Sequence, residues 1–231
     1  MRQLIFDFLE EKEKYSFDDF IILNENREAY SILIEDDYND YIQKNVILLS
    51  GPEKSGKTYL ANLWKIKKNA KVLNYNSFLK LSEEQFTNQL SSIIESYDYY
   101  IIDNFECKNI NEQKLFHLLN IIYEMHSKLL IVCNKDIANY KFKINDLKSR
   151  INAGIKIKIK ELSEDDKNIM ILRFLSNKKI NLSRQAIRYI EKISPDTFKK
   201  IYDFINKLDL KAKEEKKKIT IPFIKKYIST L

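Results

Sequence analysis

The segment GPEKSGKT, residues 51–58, constrains the fold of this chain more than any other stretch. It fits the pattern G-x-x-x-x-G-K-[ST] in full, and it follows the continuous apolar run NVILLS at residues 45–50. Such a run is typical of a strand buried on both faces of a parallel sheet, and a helical pattern follows the motif. A strand, a glycine-rich loop and a helix in this order predict a loop that binds phosphate groups.

Each position of the loop has a physical role in that interpretation. Gly51 and Gly56 permit turns that aim backbone N–H groups at phosphate oxygens, and the following helix contributes the positive end of its dipole. Lys57 is expected to reach the β- and γ-phosphates, and Thr58 is expected to coordinate Mg²⁺. The predicted nucleotide-binding positions in and beside the loop are Gly51, Pro52, Glu53, Lys54, Ser55, Gly56, Lys57, Thr58 and Tyr59. We therefore expect ADP or ATP, together with Mg²⁺, as cofactors.

The apolar pattern along the chain predicts an α/β domain with a parallel sheet, followed by a small all-α domain. Further strand patterns occur at residues 71–76, 98–103, 128–134 and 154–160. Helical patterns alternate with them, as in a parallel sheet covered by helices, at residues 26–44, 57–68, 82–96 and 111–127. After residue 160 no strand pattern interrupts the helical ones, which lie at 163–177, 183–193, 196–214 and 220–230. The expected parts are a peptide and tether (1–14), a nucleotide-binding domain (15–161) and a helical domain (162–231).

Polar side chains at the ends of two predicted strands complete the expected site. The strand in YYIIDNFE (99–106) reaches Asp103, whose carboxylate we expect beside the phosphate loop as a second Mg²⁺ ligand. Asn104 follows, and its amide can hold a water but cannot accept the proton of that water, so we expect weak or no intrinsic ATP hydrolysis. Glu106 is either a substitute acid or a surface residue. Asn134, after the strand KLLIVCN, is expected to sense the γ-phosphate, with an ordinary turn asparagine as the alternative.

Arg150 is a candidate for action outside its own nucleotide site. It follows an acidic, polar turn in the segment NDLKSRINAG (145–154) and precedes a glycine. Because Lys57 already serves the phosphate loop, an arginine here could reach the γ-phosphate of a neighbouring molecule. Such an arginine finger contributes about 10³–10⁵ in rate where it operates. The spacing leaves an ordinary salt-bridged arginine open as the alternative.

Charge and composition limit which cellular compartments and which kinds of partner are expected. The chain has 231 residues, a net charge of +7 and two cysteines, which fit a reducing compartment. No apolar run approaches the ~20 residues that a membrane-spanning helix needs, and the N-terminus lacks the features of a secretory signal. We therefore expect a cytoplasmic protein without a membrane partner. A basic balance is compatible with an anionic partner, but the abundance of lysine, asparagine and isoleucine favours a compositional origin.

The opening stretch, MRQLIFDFLEEKEK, combines large apolar side chains with a charged tether. A segment of this kind cannot bury enough surface to fold alone. It either docks on another protein through aromatic anchors or packs as an arm on its own domain. The residues by themselves favour neither alternative.

Taken in order, these motifs resemble those of the AAA+ ATPases of the DnaA clade, and most closely those of the Hda family of DnaA-related regulators. FDDFIILNENREAY (17–30) resembles the nucleotide-pocket segment of the clade, and DLKSR (146–150) resembles its arginine-finger box. IDNFEC (102–107) resembles the Mg²⁺-binding strand of Hda, including its asparagine. LSEDDK (162–167) and KITIPFIKKYI (218–228) resemble the start and the last helix of the Hda lid. The resemblance covers nearly the whole chain.

The resemblance implies an AAA+ sheet domain with an all-α lid and a role in the negative regulation of replication initiation. The N-terminal peptide would dock on the DNA polymerase sliding clamp, through Gln3, Leu4, Ile5, Phe6 and Phe8. Arg150 would contact ATP bound to DnaA and stimulate its hydrolysis, while ADP would be the resting ligand of this chain. Lys199 falls near the lid position where the clade has a nucleotide-sensing arginine, and lysine lacks the planar fork of that residue.

Several alternatives remain open at this level. The DNA-binding domain of DnaA has no counterpart in this sequence, so sequence-specific DNA binding is not expected. A homodimer is one possible oligomeric state. A stand-alone ATPase of the clade, such as a helicase loader, would depend on its own hydrolysis. A non-catalytic clamp adaptor would hold nucleotide only for structure. Substitution of Arg150 separates the regulator from the adaptor.

Overall fold

The computed structural model describes residues 15–35, 44–82, 84–86, 88, 90, 97–106 and 110–229. Their contacts form two units, of which the first runs up to Gly51 and resumes over Gly56–Ile159. The second unit comprises Pro52–Ser55 and the residues from Lys160 onward. The peptide and tether expected at residues 1–14 lie outside the described residues, and the domain boundaries drawn from the sequence stay predictions.

The first unit is built on a five-stranded parallel sheet with the spatial order β2-β3-β4-β1-β5. Its strands are β1 (Val46–Ser50), β2 (Lys71–Val72), β3 (Tyr99–Phe105), β4 (Lys128–Cys133) and β5 (Ile155–Lys158). Every residue of β1 is buried, as predicted for a strand covered on both faces. Because β1 lies between β4 and β5, the loop that follows it leaves the interior of the sheet, one strand from its edge, at the carboxyl ends of the strands. In open α/β sheets, ligands bind at that edge.

Helices cover both faces of this sheet. The described helices of the first unit include α1 (Arg27–Tyr30), α2 (Lys57–Lys68), α3 (Tyr75–Leu79), α4 (Glu112–Glu124) and α5 (Asn145–Ala153), with a π-helical turn at Ser31–Glu35 and a 3₁₀ turn at Ile137–Asn139. Successive side chains of a strand point to opposite faces. Val46 and Leu48 of β1 accordingly pack in the core under α4 and α5, whereas Ile47 and Leu49 pack in the core under α2.

The second unit contains helices α6 (Glu164–Asn177), α7 (Arg184–Ile193), α8 (Phe198–Glu214) and α9 (Ile221–Ile228). Its separate core includes side chains from all four, among them Ile171, Ile190, Ile201, Ile205, Leu208 and Ile224. Each helix begins after a hydroxyl side chain that accepts a hydrogen bond from the backbone N–H three residues on, namely Ser163, Ser183, Thr197 and Thr220. Such caps each stabilise a helix by about 1 kcal/mol. The fold expected from the sequence, a parallel-sheet α/β domain followed by a small all-α domain, is confirmed.

The strand predicted over residues 71–76 is wrong beyond Val72. The side-chain oxygen of Asn74 accepts a hydrogen bond from the backbone N–H of Ser77 and caps α3 there. A cap of this kind starts a helix wherever the following residues can pack, which the apolar alternation of KVLNYN does not reveal.

Two further predictions need adjustment. The helix expected over 26–44 is seen as far as Glu35. Its first part, Arg27–Tyr30, is α-helical, and the following residues Ser31–Glu35 are π-helical. The segment 145–153, which was expected to contain a polar turn, forms α5. The remaining strand and helix patterns are confirmed to within a few residues at each end, apart from 82–96, which is described only in part. Among the described residues, no helix combines the length and apolar character needed to cross a membrane.

Candidate functional site

The backbone of the phosphate loop requires glycine at both ends. A Cβ added to Gly51 would lie 2.9 Å from both the Cβ and the carbonyl oxygen of Ile159, so no side chain fits there. Gly56 has a φ of 91°, in the left-handed region that side chains disfavour, and the ring of Phe20 lies 3.4 Å from the position of its missing Cβ. Lys54 also adopts a positive φ, of 63°. The loop therefore has the irregular backbone that aims N–H groups inward in phosphate-binding loops.

Lys57 places a buried positive charge at the start of α2. The residue is only 7% exposed, and its ammonium donates a hydrogen bond of 2.9 Å to the carbonyl oxygen of Gly51. Gly56, which precedes α2, provides no side-chain cap for the first N–H groups of the helix. A buried ammonium beside a helix N-terminus creates a positive potential that favours an anion.

Ser55 supplies an unsatisfied polar atom within the same loop. The residue is 4% exposed, and its hydroxyl has no hydrogen-bond partner among the described residues. Buried hydroxyls in folded proteins are nearly always satisfied by protein, water or ligand. The loop thus contains a donor that a phosphate oxygen would satisfy, which fits the expected nucleotide.

An aromatic cluster fastens the N-terminal segment beside the loop. The rings of Phe20 and Tyr30 stack at a centroid distance of 5.5 Å, and Phe20 lies 5.7 Å from the ring of Tyr59 on α2. The hydroxyl of Tyr59 accepts a hydrogen bond from the N–H of Ser16 and donates one to its carbonyl oxygen, both at 2.9 Å. The segment that resembled a nucleotide-pocket segment therefore lies against the loop. The individual roles of Phe20 and Tyr30 could not be deduced from the sequence, because apolar spacing does not show which rings meet.

A β-bulge determines how β3 ends. Ile102 pairs with Ile131 and Phe105 with Cys133, so Asp103 and Asn104 together face the single residue between those partners. Asn104 is exposed with a φ of 53°, and its N–H donates to the carboxylate of Asp103 at 2.8 Å. Bulges of this kind redirect a side chain near functional sites.

The register of the sheet brings three predicted segments to one edge. Cys133 of β4 pairs with Ser50 of β1 on one side and with Phe105 of β3 on the other. Asn134, which follows Cys133 and is exposed, therefore leaves the sheet at the same level as Gly51. Asp103 and Asn134 lie at the edge from which the phosphate loop emerges. Their roles as Mg²⁺ ligand and γ-phosphate sensor stay predictions.

The expected Mg²⁺ ligands are too few to hold an ion by themselves. Thr58 is exposed and Asp103 is half-buried, and no cluster of three His, Cys, Asp or Glu side chains occurs in the described part of the chain. Mg²⁺ prefers oxygen ligands and usually keeps several waters while it binds one or two protein groups and substrate phosphates. A hydroxyl and a carboxylate fit that chemistry.

Arg150 lies on the last turn of α5 and is half-buried. Its guanidinium carbon is 5.4 Å from the ring centroid of Phe116 and 4.9 Å from that of Tyr123, both on α4. The described carboxylates form no ion pair with it. None of the described contacts of Arg150 involves the phosphate loop.

Within the second unit, Lys199 of α8 forms an ion pair with Glu53, a residue of the phosphate loop. The hydrogen bond that Lys199 donates to the carboxylate of Glu53 raises the pKa of Lys199, and both side chains are about half exposed. Asp196, three residues before Lys199, accepts a hydrogen bond of 2.8 Å from Lys167, which lowers the pKa of Asp196. The predicted sensing role of Lys199 stays a prediction.

A phosphate loop after a central buried strand, an acid at the edge of a nearby strand and a helical second unit define the AAA+ class of P-loop proteins. Comparison with protein families narrows this class. The family model of the bacterial DnaA ATPase domain matches residues 11–158, and that of the Hda lid domain matches residues 165–228. The chain belongs to the bacterial DnaA ATPase-domain family, within its DnaA-related Hda group.

Solved structures of DnaA share this fold. Domain III of DnaA from Thermotoga maritima superposes with a TM-score of 0.73 at 17% identity, over 91% of this chain and 93% of that one. AMPPCP-bound DnaA from Aquifex aeolicus gives a TM-score of 0.70 at 22% identity, over 87% of this chain and 67% of that one. At such identities the likeness is evidence of the fold alone.

Sequence relatives are replication initiators that are longer than this chain. DnaA of Wolinella succinogenes is 26% identical over 231 residues, which are 91% of this chain and 51% of that protein. DnaA of Helicobacter pylori strain Shi470 is 22% identical over 213 residues, which are 87% of this chain and 47% of that protein. The chain spans about half the length of these relatives.

Proposed function

We propose that this chain regulates replication initiation by binding an adenine nucleotide and stimulating the hydrolysis of ATP bound to DnaA. The observation that carries the proposal is the state of Arg150, a partly exposed guanidinium without an ion-pair partner among the described residues. The family match to the DnaA ATPase domain and to the Hda lid supports DnaA as the partner. The chain also docks on the sliding clamp in this proposal.

The chain's own nucleotide is held by the phosphate loop. Lys57 and the first N–H groups of α2 receive the phosphates, Ser55 donates its hydroxyl, and Thr58 and Asp103 hold Mg²⁺. The bound Mg²⁺ would neutralise phosphate charge. AMPPCP in the Aquifex aeolicus relative supports an adenine nucleotide as the ligand class. Lys199 and Asn134 report the state of the phosphates.

The chain itself hydrolyses ATP slowly in this proposal. Attack on the γ-phosphate needs a water held by a group that orients it or accepts its proton. Asn104 follows Asp103 in the bulge, and an amide cannot accept that proton. The chain can therefore remain loaded with ADP or ATP while it acts on another molecule.

Arg150 acts in trans on the ATP of DnaA. A guanidinium presents five N–H donors in a planar fork that matches phosphate oxygens, and it stays charged at all physiological pH values. Charge that develops on the γ-phosphate of DnaA-bound ATP is stabilised by these donors. The product is DnaA with ADP, the inactive form of the initiator.

The decisive experiment measures the decay of labelled ATP on DnaA in the presence of DNA-loaded clamp and this chain. Arg150→Ala is expected to lower the stimulated rate by about 10³-fold or to the unstimulated level. Lys148→Ala is the matched control, because Lys148 is an exposed cation on the same helix and should leave the rate unchanged. Full stimulation by Arg150→Ala would refute the trans finger and favour the non-catalytic clamp adaptor.

The clamp-docking residues of the proposal are Gln3, Leu4, Ile5, Phe6 and Phe8. They lie outside the described residues, so their role rests on the sequence. Deletion of residues 1–8 is expected to abolish capture of the clamp in a pull-down, whereas Lys12→Ala, in the charged tether, should preserve it. Equal capture by the deleted and intact chains would remove the clamp from the proposal and leave the nucleotide site untouched.

A further inference from the structure

We propose that Phe116 and Tyr123 form an aromatic cradle that positions the guanidinium of Arg150 before DnaA binds. The cradle is defined as these two rings of α4. This inference rests on the proposed function, because positioning is useful only if Arg150 acts on another molecule's nucleotide. It assigns a role in the reaction to two residues that do not touch the nucleotide.

The two rings are spaced so that both can contact the same guanidinium. Phe116 and Tyr123 are seven residues apart, so they lie on the same face of α4, two turns or about 10.5 Å apart along its axis. The guanidinium lies 5.4 Å from one ring centroid and 4.9 Å from the other, inside the ~6 Å range of cation–π attraction. The side chain of Arg150 therefore bridges both turns of the helix.

The backbone that carries Arg150 is fixed against the same helix. The carboxylate of Glu112, at the start of α4, accepts hydrogen bonds of 2.9 Å from the N–H groups of Lys143 and Ile144, just before α5. At the other end of α5, a Cβ on Gly154 would lie 2.9 Å from the carbonyl oxygen of Val46, so the chain passes closely over β1. With both ends of α5 held, the remaining freedom of Arg150 lies in its side chain.

Contact with the rings restricts that side chain without using its hydrogen-bond donors. A cation–π contact attracts the guanidinium through its charge, whereas a phosphate accepts hydrogen bonds from its N–H groups. A free arginine carries about 2 kcal/mol of rotamer entropy, which is lost when it binds a phosphate from an unrestricted state. In the cradle, the side chain has already lost part of this rotamer entropy before DnaA binds. The guanidinium is therefore oriented in advance for the phosphate of DnaA-bound ATP.

Both rings are half-buried, as a surface cradle requires. Burial raises the pKa of Tyr123, and the charge of Arg150 opposes this shift. The phenol therefore stays neutral at physiological pH, and the ring interacts with the guanidinium as an aromatic face rather than as an ionic partner. A phenylalanine at this position should serve equally well.

The test uses the DnaA-bound ATP assay with the full chain and DNA-loaded clamp. Phe116→Leu and Tyr123→Leu are each expected to lower the maximal stimulated rate roughly two- to fivefold, the range expected from loss of one exposed cation–π contact. The concentration of chain that gives half-maximal stimulation should change less than the maximal rate. Tyr123→Phe and Phe116→Tyr retain a ring and should keep the wild-type rate.

Two controls separate positioning from folding. Because Arg150→Ala alone should bring the rate near the unstimulated level, folding is checked directly: the thermal unfolding temperature of Phe116→Leu and Tyr123→Leu should match that of the wild type. Nucleotide affinity of the leucine variants should equal that of the wild type, which shows that the first unit is intact.

The outcomes distinguish this inference from the proposed function. If Arg150→Ala lowers the rate but both leucine variants and their double variant keep full stimulation, the cradle is refuted and the trans finger stands. If the leucine variants lose nucleotide affinity or thermal stability together with the rate, their effect is structural and the cradle is again refuted. If Arg150→Ala itself has no effect, the proposed function fails and the cradle loses its role.

Discussion

Lys114 provides a quantitative test of how this fold is held together. It lies on α4, is 7% exposed, and its ammonium donates hydrogen bonds to the carbonyl oxygens of Phe78, Leu79 and Leu81, at 3.1, 3.1 and 2.7 Å. These carbonyls belong to the last turn of α3 and the residues after it. Helix-terminal carbonyls lack intrahelical partners, and here one buried ammonium binds three carbonyls at or just beyond the end of α3, of which that of Phe78 also accepts a hydrogen bond from the N–H of Leu81.

Lys114→Met keeps most of the buried stem and removes the three donors. Hydrogen bonds to a charged group contribute about 1.5–3 kcal/mol each, but taking an ammonium out of water offsets a large part of their sum. We expect the free energy of unfolding to fall by about 2–4 kcal/mol, mainly because the partly buried carbonyls of Leu79 and Leu81 lose their bond to the ammonium. That is a large fraction of the ~5–15 kcal/mol that stabilises a typical domain.

Urea unfolding followed by fluorescence measures this loss in the first unit alone. Trp64 is the single tryptophan of the chain, is 2% exposed and packs against Tyr99, so its emission reports on that unit. At an m-value of about 2 kcal/mol per molar urea, the midpoint should fall by roughly 1–2 M. Lys80→Met, at an exposed lysine near the same turn, is the control and should stay within about 0.5 kcal/mol of the wild type. A Lys114→Met variant as stable as this control would refute the reasoning.

Two other changes test the second unit and the loop. Burial opposes ionisation of Asp209, but hydrogen bonds from Lys213 and Lys178 outweigh it and lower its pKa below the ordinary 3.8. A carboxylate whose pKa is lower in the folded state than in the unfolded chain stabilises the folded state at pH values above its unfolded pKa. This stabilisation is lost as the pH falls through the pKa of the folded state. Thermal melts should therefore show Asp209→Asn less stable than the wild type at pH 7, with the gap closing below about pH 4; a constant gap would contradict this. Tyr59→Phe removes both hydrogen bonds to Ser16 and should lower the free energy of unfolding by about 1 kcal/mol. It should also weaken ADP binding measured by calorimetry. An unchanged affinity would show that the N-terminal segment does not support the nucleotide pocket.

The elements that the sequence predicts well are those whose signals are local. The run before the phosphate loop predicted β1, and the motif itself predicted α2 with the observed bounds. The helices of the second unit follow from hydroxyl caps and apolar spacing, which operate within one or two turns. For the same reason the predicted nucleotide positions at 51–59 form one continuous segment, whereas Lys199 lies far from them in the sequence.

The predictions that failed depend on competition between local signals. The segment KVLNYN has the apolar content of a strand, yet the cap at Asn74 ends the strand after Val72. The segment before Gly154 contains polar residues that resemble a turn, yet Leu147 and Ile151 are fully buried on one face of α5. A helical stripe of only two residues is too short to outweigh polar composition in a sequence pattern.

The amino-acid sequence alone determined the phosphate loop, the parallel-sheet architecture, the all-α second unit and the identity of Arg150 as a candidate. Only the tertiary structure decided what surrounds that arginine, because Phe116 and Tyr123 lie more than two dozen residues before it and meet it through the packing of α4 on α5. The bulge at Asp103 likewise arises from the register between β3 and β4. Periodicity acts along one element, whereas register and helix packing couple elements that are distant in the chain, so the geometry of a site emerges only when they come together.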